Sequence, residues 1–127
     1  MFEIMKFTLD DIEAGFSIQS YAKGQVTVGG VTYRTSLIIT PSQVIDDWRP
    51  DTFSNLISDD LARLTEWEPE IVILGTGPLH QFPHPSLAES LILRRIGLES
   101  MATDAACRTY NILRGEGRKV IAALFMI

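Results

Sequence analysis

Cysteine is nearly absent from this sequence, which has 127 residues and a single thiol at Cys107. One thiol cannot form an intramolecular disulfide or supply a cysteine-rich zinc site. Long apolar runs are missing too, because the stretch from Val120 to Ile127 is far shorter than the roughly 20 residues that span a bilayer. The first residues resemble neither a secretory signal nor an arginine-rich transit peptide. These absences predict a cytoplasmic protein that does not span a membrane.

Basic residues are also scarce, with 11 Lys and Arg against 16 Asp and Glu and a net charge of −5. Nucleic-acid binding requires a strong positive surface, so we expect no nucleic-acid partner. The acidic excess lies in residues 1–70, which carry −7, whereas residues 71–127 carry +2. This asymmetry reflects either ordinary solvated faces or a mildly basic face on the second half of the molecule.

The apolar content is sufficient for one core, at 46% of the residues. A chain of this length and composition predicts a single domain over residues 1–127. Within it we expect an irregular N-terminal arm over 1–15, a β-meander over 16–40 and an α/β part over 41–127.

The meander is predicted from alternating apolar residues that begin at Phe16. Turns are expected at Lys23-Gly24 and at Gly29-Gly30, the second as a primed hairpin turn whose two central residues need positive φ. The third strand is expected to continue from Val31 into the apolar run that ends at Ile39. A further short strand is predicted over 44–48.

The second half predicts alternating strands and helices, which favours right-handed crossovers and a parallel sheet. Ser58, Ser86 and Thr103 are predicted helix caps, with Ser86 and Glu89 forming a capping box. The predicted strands cover 71–74, 98–102 and 120–125, and the helix that begins at Thr103 is expected to end at Gly115 or Gly117.

The run from Thr103 to Asn111 has an unusual composition, because a cap residue, alanines, a thiol, a guanidinium, a phenol and an amide fall within nine positions. Gly75-Thr76-Gly77 follows a strand, but His80 stands where a dinucleotide fingerprint needs its third glycine. The carboxyl ends of parallel strands share one edge, so we expect a crevice between this turn and the start of the Thr103 helix. The alternative is a well-packed turn beside a cap.

The charged and polar residues of this run support two interpretations. Asp104 occupies the positive field that an anion would use at a helix start, and Cys107 is expected to be buried and small. Arg108 and Asn111 share a face and either hold a ligand or pair with neighbouring groups. The face against the sheet is predicted to contain Ala105, Ala106, Thr109, Ile112 and Leu113.

The sequence contains no defensible catalytic or metal-binding motif. His80 and His84 lie among prolines in a predicted loop, where their spacing does not form a zinc site. No nucleophile and base form a recognisable pair. We therefore expect no catalytic residue, metal or cofactor.

Several separated motifs together resemble a small family of mostly uncharacterised α/β domains. They are Ser36 to Pro41 followed by Trp48, Ile73 to Gly77, Thr103 to Asn111, and Glu116-Gly117-Arg118. The family includes the mitochondrial complex I (NADH dehydrogenase) assembly factor three and the adipogenesis-associated domain protein. The resemblance implies an α/β, three-layer fold with a central mixed, mostly parallel sheet, helices and an N-terminal β-hairpin region. It also implies an assembly role without catalysis for the mitochondrial member.

Two hypotheses follow. The first is a non-catalytic interaction or assembly-factor-like domain with a protein partner, which could belong to a membrane-associated assembly. The second is a small-molecule binder or enzyme that uses the crevice. The sequence does not determine the oligomeric state. The candidate ligand-binding or interaction residues are Gly75, Thr76, Gly77, Thr103, Asp104, Cys107, Arg108 and Asn111.

Overall fold

The computed structural model describes residues 16–127, so the arm predicted over 1–15 lies outside them. Within this range, eight strands form two sheets: β1 Ile18–Ala22, β2 Gln25–Val28, β3 Val31–Tyr33, β4 Leu37–Ile39, β5 Val44–Ile45, β6 Ile71–Thr76, β7 Gly97–Met101 and β8 Val120–Phe125. The helices are α1 Ser58–Ala62, α2 Glu89–Leu93 and α3 Thr103–Gly115, with 3₁₀ turns at Phe53–Asn55, Arg63–Trp67 and Pro85–Ala88. None of the helices in residues 16–127 is both long and apolar enough to cross a membrane.

The small sheet is antiparallel, with strand order β1-β2-β3. Gly29 and Gly30 connect β2 to β3 with φ of 58° and 79°. Left-handed backbone of this kind is accessible to glycine without the steric cost that a Cβ imposes, so the pair sets the tight turn.

The large sheet is mixed, with order β5-β4-β8-β6-β7. β6 pairs parallel with both β7 and β8, as predicted for the last three strands. β4 pairs antiparallel with both β5 and β8. The α/β class with a mixed sheet is therefore confirmed, but the sheet is not mostly parallel, because half of its neighbouring pairs are antiparallel.

Two predicted strands have different bounds in the structure. The strand expected to run from Val31 to Ile39 is interrupted, since β3 belongs to the small sheet and β4 to the large one. Ser36 lies where the chain passes from one sheet to the other. Its hydroxyl donates to the Trp48 carbonyl at 3.3 Å and lies close to the Pro50 carbonyl. The strand expected over 44–48 stops at Ile45, because the chain leaves the edge of the sheet there.

Apolar side chains alternate along β8 and supply a core on each face of the large sheet. Val120, Ala122 and Leu124 pack toward α3 and the small sheet. The intervening residues Ile121, Ala123 and Phe125 pack toward α1, α2 and Trp48. A strand that is apolar at every position is thus explained by burial on both faces.

The starts of the helices differ from the predicted caps. Ile57, not Ser58, precedes the first residue of α1, and its N–H donates to the carboxylate of Asp60 at 2.9 Å. Ser86 does not cap a helix with Glu89. Instead, the ring Nδ1 of His84 accepts from the Ser86 N–H at 3.1 Å and caps the 3₁₀ turn that precedes α2.

Candidate functional site

Thr103 lies at the first residue of α3, where its side chain is fully buried. Its hydroxyl donates to the Phe125 carbonyl at 2.6 Å and accepts from the Gly77 N–H at 2.9 Å. Its own N–H donates to the Gly77 carbonyl at 2.9 Å. The predicted cap role is wrong, since Ala102 precedes the helix and the hydroxyl instead joins the end of β8 to the turn after β6.

The turn after β6 packs directly against this helix start. A Cβ at Gly75 would lie 2.8 Å from both Leu124 Cδ2 and Thr103 Oγ1. The buried Thr76 hydroxyl donates to the Leu79 carbonyl at 2.7 Å and accepts from the Gln81 N–H at 3.0 Å. Side chains thus occupy the space between Gly75 and α3, where the crevice was expected.

Asp104 and Arg108 lie one turn apart on the exposed side of α3. The Asp104 carboxylate accepts from the Ala105 N–H at 2.8 Å. It thereby pairs one of the N–H groups left without an intrahelical partner at the helix start, and its negative charge faces the positive end of the helix dipole. Its second oxygen lies 3.9 Å from the Arg108 guanidinium. Both side chains are about half exposed, so this pair contributes little to stability.

Cys107 is fully buried, as predicted. Burial is the largest influence on its thiol, and the nearby Asp104 charge acts in the same direction, so the pKa of Cys107 rises to about 12. The thiol therefore stays protonated near neutral pH. A protonated, buried thiol is a poor nucleophile and a poor metal ligand.

Tyr110 and Asn111 connect α3 to the small sheet. The Tyr110 hydroxyl donates to the Phe16 carbonyl at 2.9 Å. The Asn111 amide donates to the Ile18 carbonyl and accepts from the Ile18 N–H, each at 2.8 Å. The Asn111 side chain therefore occupies the position that a neighbouring strand would take along β1, and we call this pair of hydrogen bonds the Asn111 bridge.

Arg108 points to the same strand as Asn111, in agreement with their predicted common face. Its guanidinium donates to the Tyr21 hydroxyl at 2.7 Å. The predicted inner face is partly wrong, because Ile112 is 61% exposed. The buried residues of α3 are Thr103, Ala106, Cys107 and Tyr110.

The two predicted loop histidines lie apart from that helix. His80 Nε2 lies 3.2 Å from Ser100 Oγ, and its ring contacts that of Phe82 in a tilted arrangement, with centroids 4.3 Å apart and an interplanar angle of 45°. No local pattern predicts this serine–histidine contact, because Ser100 lies 20 residues later on β7. Residues 16–127 contain no group of three or more side chains suited to a metal ion.

An ion pair between Arg49 and the buried Asp60 is likewise invisible in the sequence. The Arg49 Nε and a terminal nitrogen donate to the two carboxylate oxygens of Asp60 at 2.8 and 2.7 Å. Desolvation, the largest single influence, raises the pKa of Asp60. The hydrogen bonds from Arg49 and the Ile57 N–H outweigh it and lower that pKa overall. No local pattern indicates this contact, since the residues lie 11 positions apart and Arg49 is in irregular chain.

Four of the seven large apolar side chains that are exposed among residues 16–127 lie in the part of the chain between β6 and β7. Leu79 and Phe82, in the loop after β6, are 73% and 81% exposed. Ile92 and Leu93, at the end of α2, are 63% and 75% exposed. Exposed apolar side chains mark a binding surface where they form one contiguous patch.

Comparisons with known proteins agree with the resemblance found in the sequence. A family model described as "Protein of unknown function (DUF498/DUF598)" matches residues 18–125. The "NADH dehydrogenase [ubiquinone] 1 alpha subcomplex assembly factor 3" of Danio rerio is 30% identical over 116 residues. That match covers 90% of this chain but only 66% of the assembly factor, so this chain spans slightly less than two thirds of that relative.

A bacterial relative and a solved structure extend the similarity. The "13 kDa major membrane protein" of Francisella tularensis subsp. holarctica is 27% identical over 118 residues, covering 92% of this chain and 96% of that protein. A solution structure of a Bordetella pertussis protein described as an Mth938-like domain superimposes with a TM-score of 0.80 at 25% identity. It covers 96% of this chain and 92% of its own. The fold described above is therefore Mth938-like.

Proposed function

This chain belongs to the DUF498/DUF598 family of proteins of unknown function, and from that premise we propose that it is a non-catalytic interaction domain that assists the assembly of a larger protein complex. The similarity to a complex I assembly factor across 90% of the chain carries this proposal. The partner complex need not be the mitochondrial one, since the similarity concerns the domain and not its clients.

The chemistry of α3 supports a structural role for the residues singled out in the sequence. The thiol of Cys107 is buried, the Thr103 hydroxyl bonds to backbone groups, and the Asn111 amide bonds to β1. We propose that the candidate residues other than the half-exposed Asp104 and Arg108 hold the two sheets and the β6 turn in place, so that the surface around β7 is presented rigidly.

Organisation as a single domain is part of the same proposal. One core cluster includes Ile18 and Val26 of the small sheet together with Leu37, Ile73 and Leu124 of the large sheet. A shared core supports cooperative folding of residues 16–127.

A cytoplasmic location also belongs to the proposal, as the sequence predicts. One relative, in contrast, is named a membrane protein. Fractionation of the native cells distinguishes the two locations, because a cytoplasmic protein should remain in the supernatant after high-speed centrifugation. Recovery with the membranes after a high-salt wash would contradict the cytoplasmic location.

The assembly role is tested by removing the protein from its native cells. We expect one multiprotein complex to decrease on native gels while its separate subunits are still synthesised. The wild-type gene should restore the complex, and the tagged full chain should cross-link to subunits of that same complex. Unchanged levels of all large complexes would refute the proposal.

A further inference from the structure

We propose that the open edge of β7 binds an extended segment of a partner protein, which adds a strand to the large sheet. This inference rests on the proposed interaction role and identifies the surface and the kind of segment. Among the described residues, β7 is the last strand in the order β5-β4-β8-β6-β7, and β6 is its one neighbour.

The backbone of β7 has hydrogen-bonding groups on the side away from β6. The Gly97 N–H donates to the Glu70 carbonyl at 3.0 Å and therefore faces the chain that leads into β6. Because backbone groups alternate along a strand, those of Leu98 and Ser100 face the opposite side. An added strand would bond to these groups.

Exposed apolar side chains flank both ends of this edge. At the carboxyl end, His80 contacts both Ser100 and the ring of Phe82, which is 81% exposed. At the start, α2 ends with the exposed side chains of Ile92 and Leu93, the latter four residues before β7 begins. A segment that paired along β7 could bury apolar groups at each end, beyond the main-chain hydrogen bonds.

Charge indicates which segment fits. Arg94 and Arg95 are exposed between α2 and β7, and neither forms a salt bridge with another residue in the 16–127 range. They would attract acidic side chains near the end of an incoming strand. A second copy of this chain is disfavoured in the register centred on Glu99, because an antiparallel β7 pair would place two carboxylates opposite each other. The proposed occupant is therefore an apolar strand of another protein with acidic residues at the end that meets Arg94 and Arg95.

A defined peptide tests this proposal with the full chain. The probe has alternating valine and threonine residues with two glutamates at each end, so that one pair meets Arg94 and Arg95 in either strand direction. The matched control peptide has lysines in place of the glutamates. We expect the acidic peptide to bind at least tenfold more tightly. We also expect NMR amide shifts to be largest at Leu98 and Ser100.

Two substitutions at one position separate strand pairing from side-chain effects. Ser100→Pro removes the outward N–H, whereas Ser100→Ala removes the hydroxyl and keeps that donor. We expect affinity to fall at least tenfold in S100P and less than threefold in S100A. Arg94→Glu, which leaves the backbone unchanged, should abolish the preference for the acidic peptide and keeps the proposal testable if S100P does not fold.

Other results would overturn the inference. These are equal binding of both peptides, no binding, shifts on another surface, or a dimer that forms through β7. The β7 proposal and the assembly role can fail independently. If the β7 edge binds the partner, S100P and R94E should restore the complex poorly in the native cells. If both variants restore it fully, the β7 proposal fails while the assembly role stands.

Discussion

Single side chains of α3 connect segments that are far apart in the sequence. Asn111 satisfies both backbone groups of Ile18, 93 positions earlier, and Thr103 connects to Gly77 and Phe125. These residues suggested ligand chemistry in the sequence because polar groups seldom cluster on a packed helix. In the structure their polar atoms bond to backbone groups that would otherwise lack partners.

We predict that Asn111→Ala destabilises the protein by roughly 1–3 kcal/mol, because it leaves the N–H and carbonyl of Ile18 without their partner. Asn111→Asp is the matched variant, since it keeps the shape and the acceptor but cannot donate to that carbonyl. Chemical denaturation measures both free energies of unfolding. Arg108→Ala, at an exposed position, is the control and should change the free energy of unfolding by less than about 1 kcal/mol. An Asn111→Ala protein as stable as wild type would contradict a stabilising role for the Asn111 bridge.

At the level of elements, the turn after β6 and the start of α3 form one packed unit. Gly75 permits their contact because it has no Cβ, and Thr103 closes it with hydrogen bonds. This close approach supplies a physical reason for the glycine of the Gly75-Thr76-Gly77 run that requires no phosphate or other ligand.

Gly75→Ala is expected to destabilise the protein by roughly 1–3 kcal/mol, because the added methyl would overlap Leu124 and Thr103. Gly115→Ala, at the end of the same helix, is the control, since a methyl group there would meet nothing within 4 Å. It should be neutral or stabilising by up to about 1 kcal/mol. Thermal unfolding compares the two variants, and equal melting temperatures would argue against the tight contact.

The elements were more predictable than their contacts. The apolar runs of β6 and β8 and the glycine at the end of α3 indicate strands and a helix end, because burial and backbone freedom act locally. The caps were not predictable, since the Thr103 hydroxyl bonds to Phe125 and Ser58 lies one position after the cap. The Asn111 bridge and the pair of Arg49 with Asp60 depend on tertiary neighbours that have no local pattern.

Across the whole molecule, the ionised Asp60 contributes to stability at neutral pH. Its pKa in the folded state lies below the unfolded value of about 3.9, so its contribution is present above that value. The contribution is lost as the pH falls through the lowered folded pKa. The large sheet and its α1 side should therefore be sensitive to acid through this one carboxylate.

The acid sensitivity predicts that the free energy of unfolding depends on pH differently in wild type and in Asp60→Asn. Between about pH 5 and pH 2, the free energy of unfolding should fall more steeply with decreasing pH in wild type than in the variant. The difference in slope corresponds to at most one proton bound on unfolding, because the amide of the variant takes up no proton in this range. Urea denaturation at a series of pH values measures both slopes. Asp59→Asn, on the exposed side of α1, is the control and should follow wild type. Parallel slopes for wild type and Asp60→Asn would show that the pKa of Asp60 is not lowered by folding.

The central position of β8 also determines when the chain can fold. β8 lies between β4 and β6, although it contains residues 120–125 of the chain. While the chain is being synthesised, neither neighbour can complete its pairing until β8 has left the ribosome. β4 contains the apolar residues Leu37, Ile38 and Ile39, and roughly 80 further residues are synthesised before β8 can pair with it. During that interval β5 can pair with one edge of β4, but the edge that β8 occupies in the folded protein stays unpaired. The yield in cells should therefore depend on chaperones more than the small size of the protein suggests.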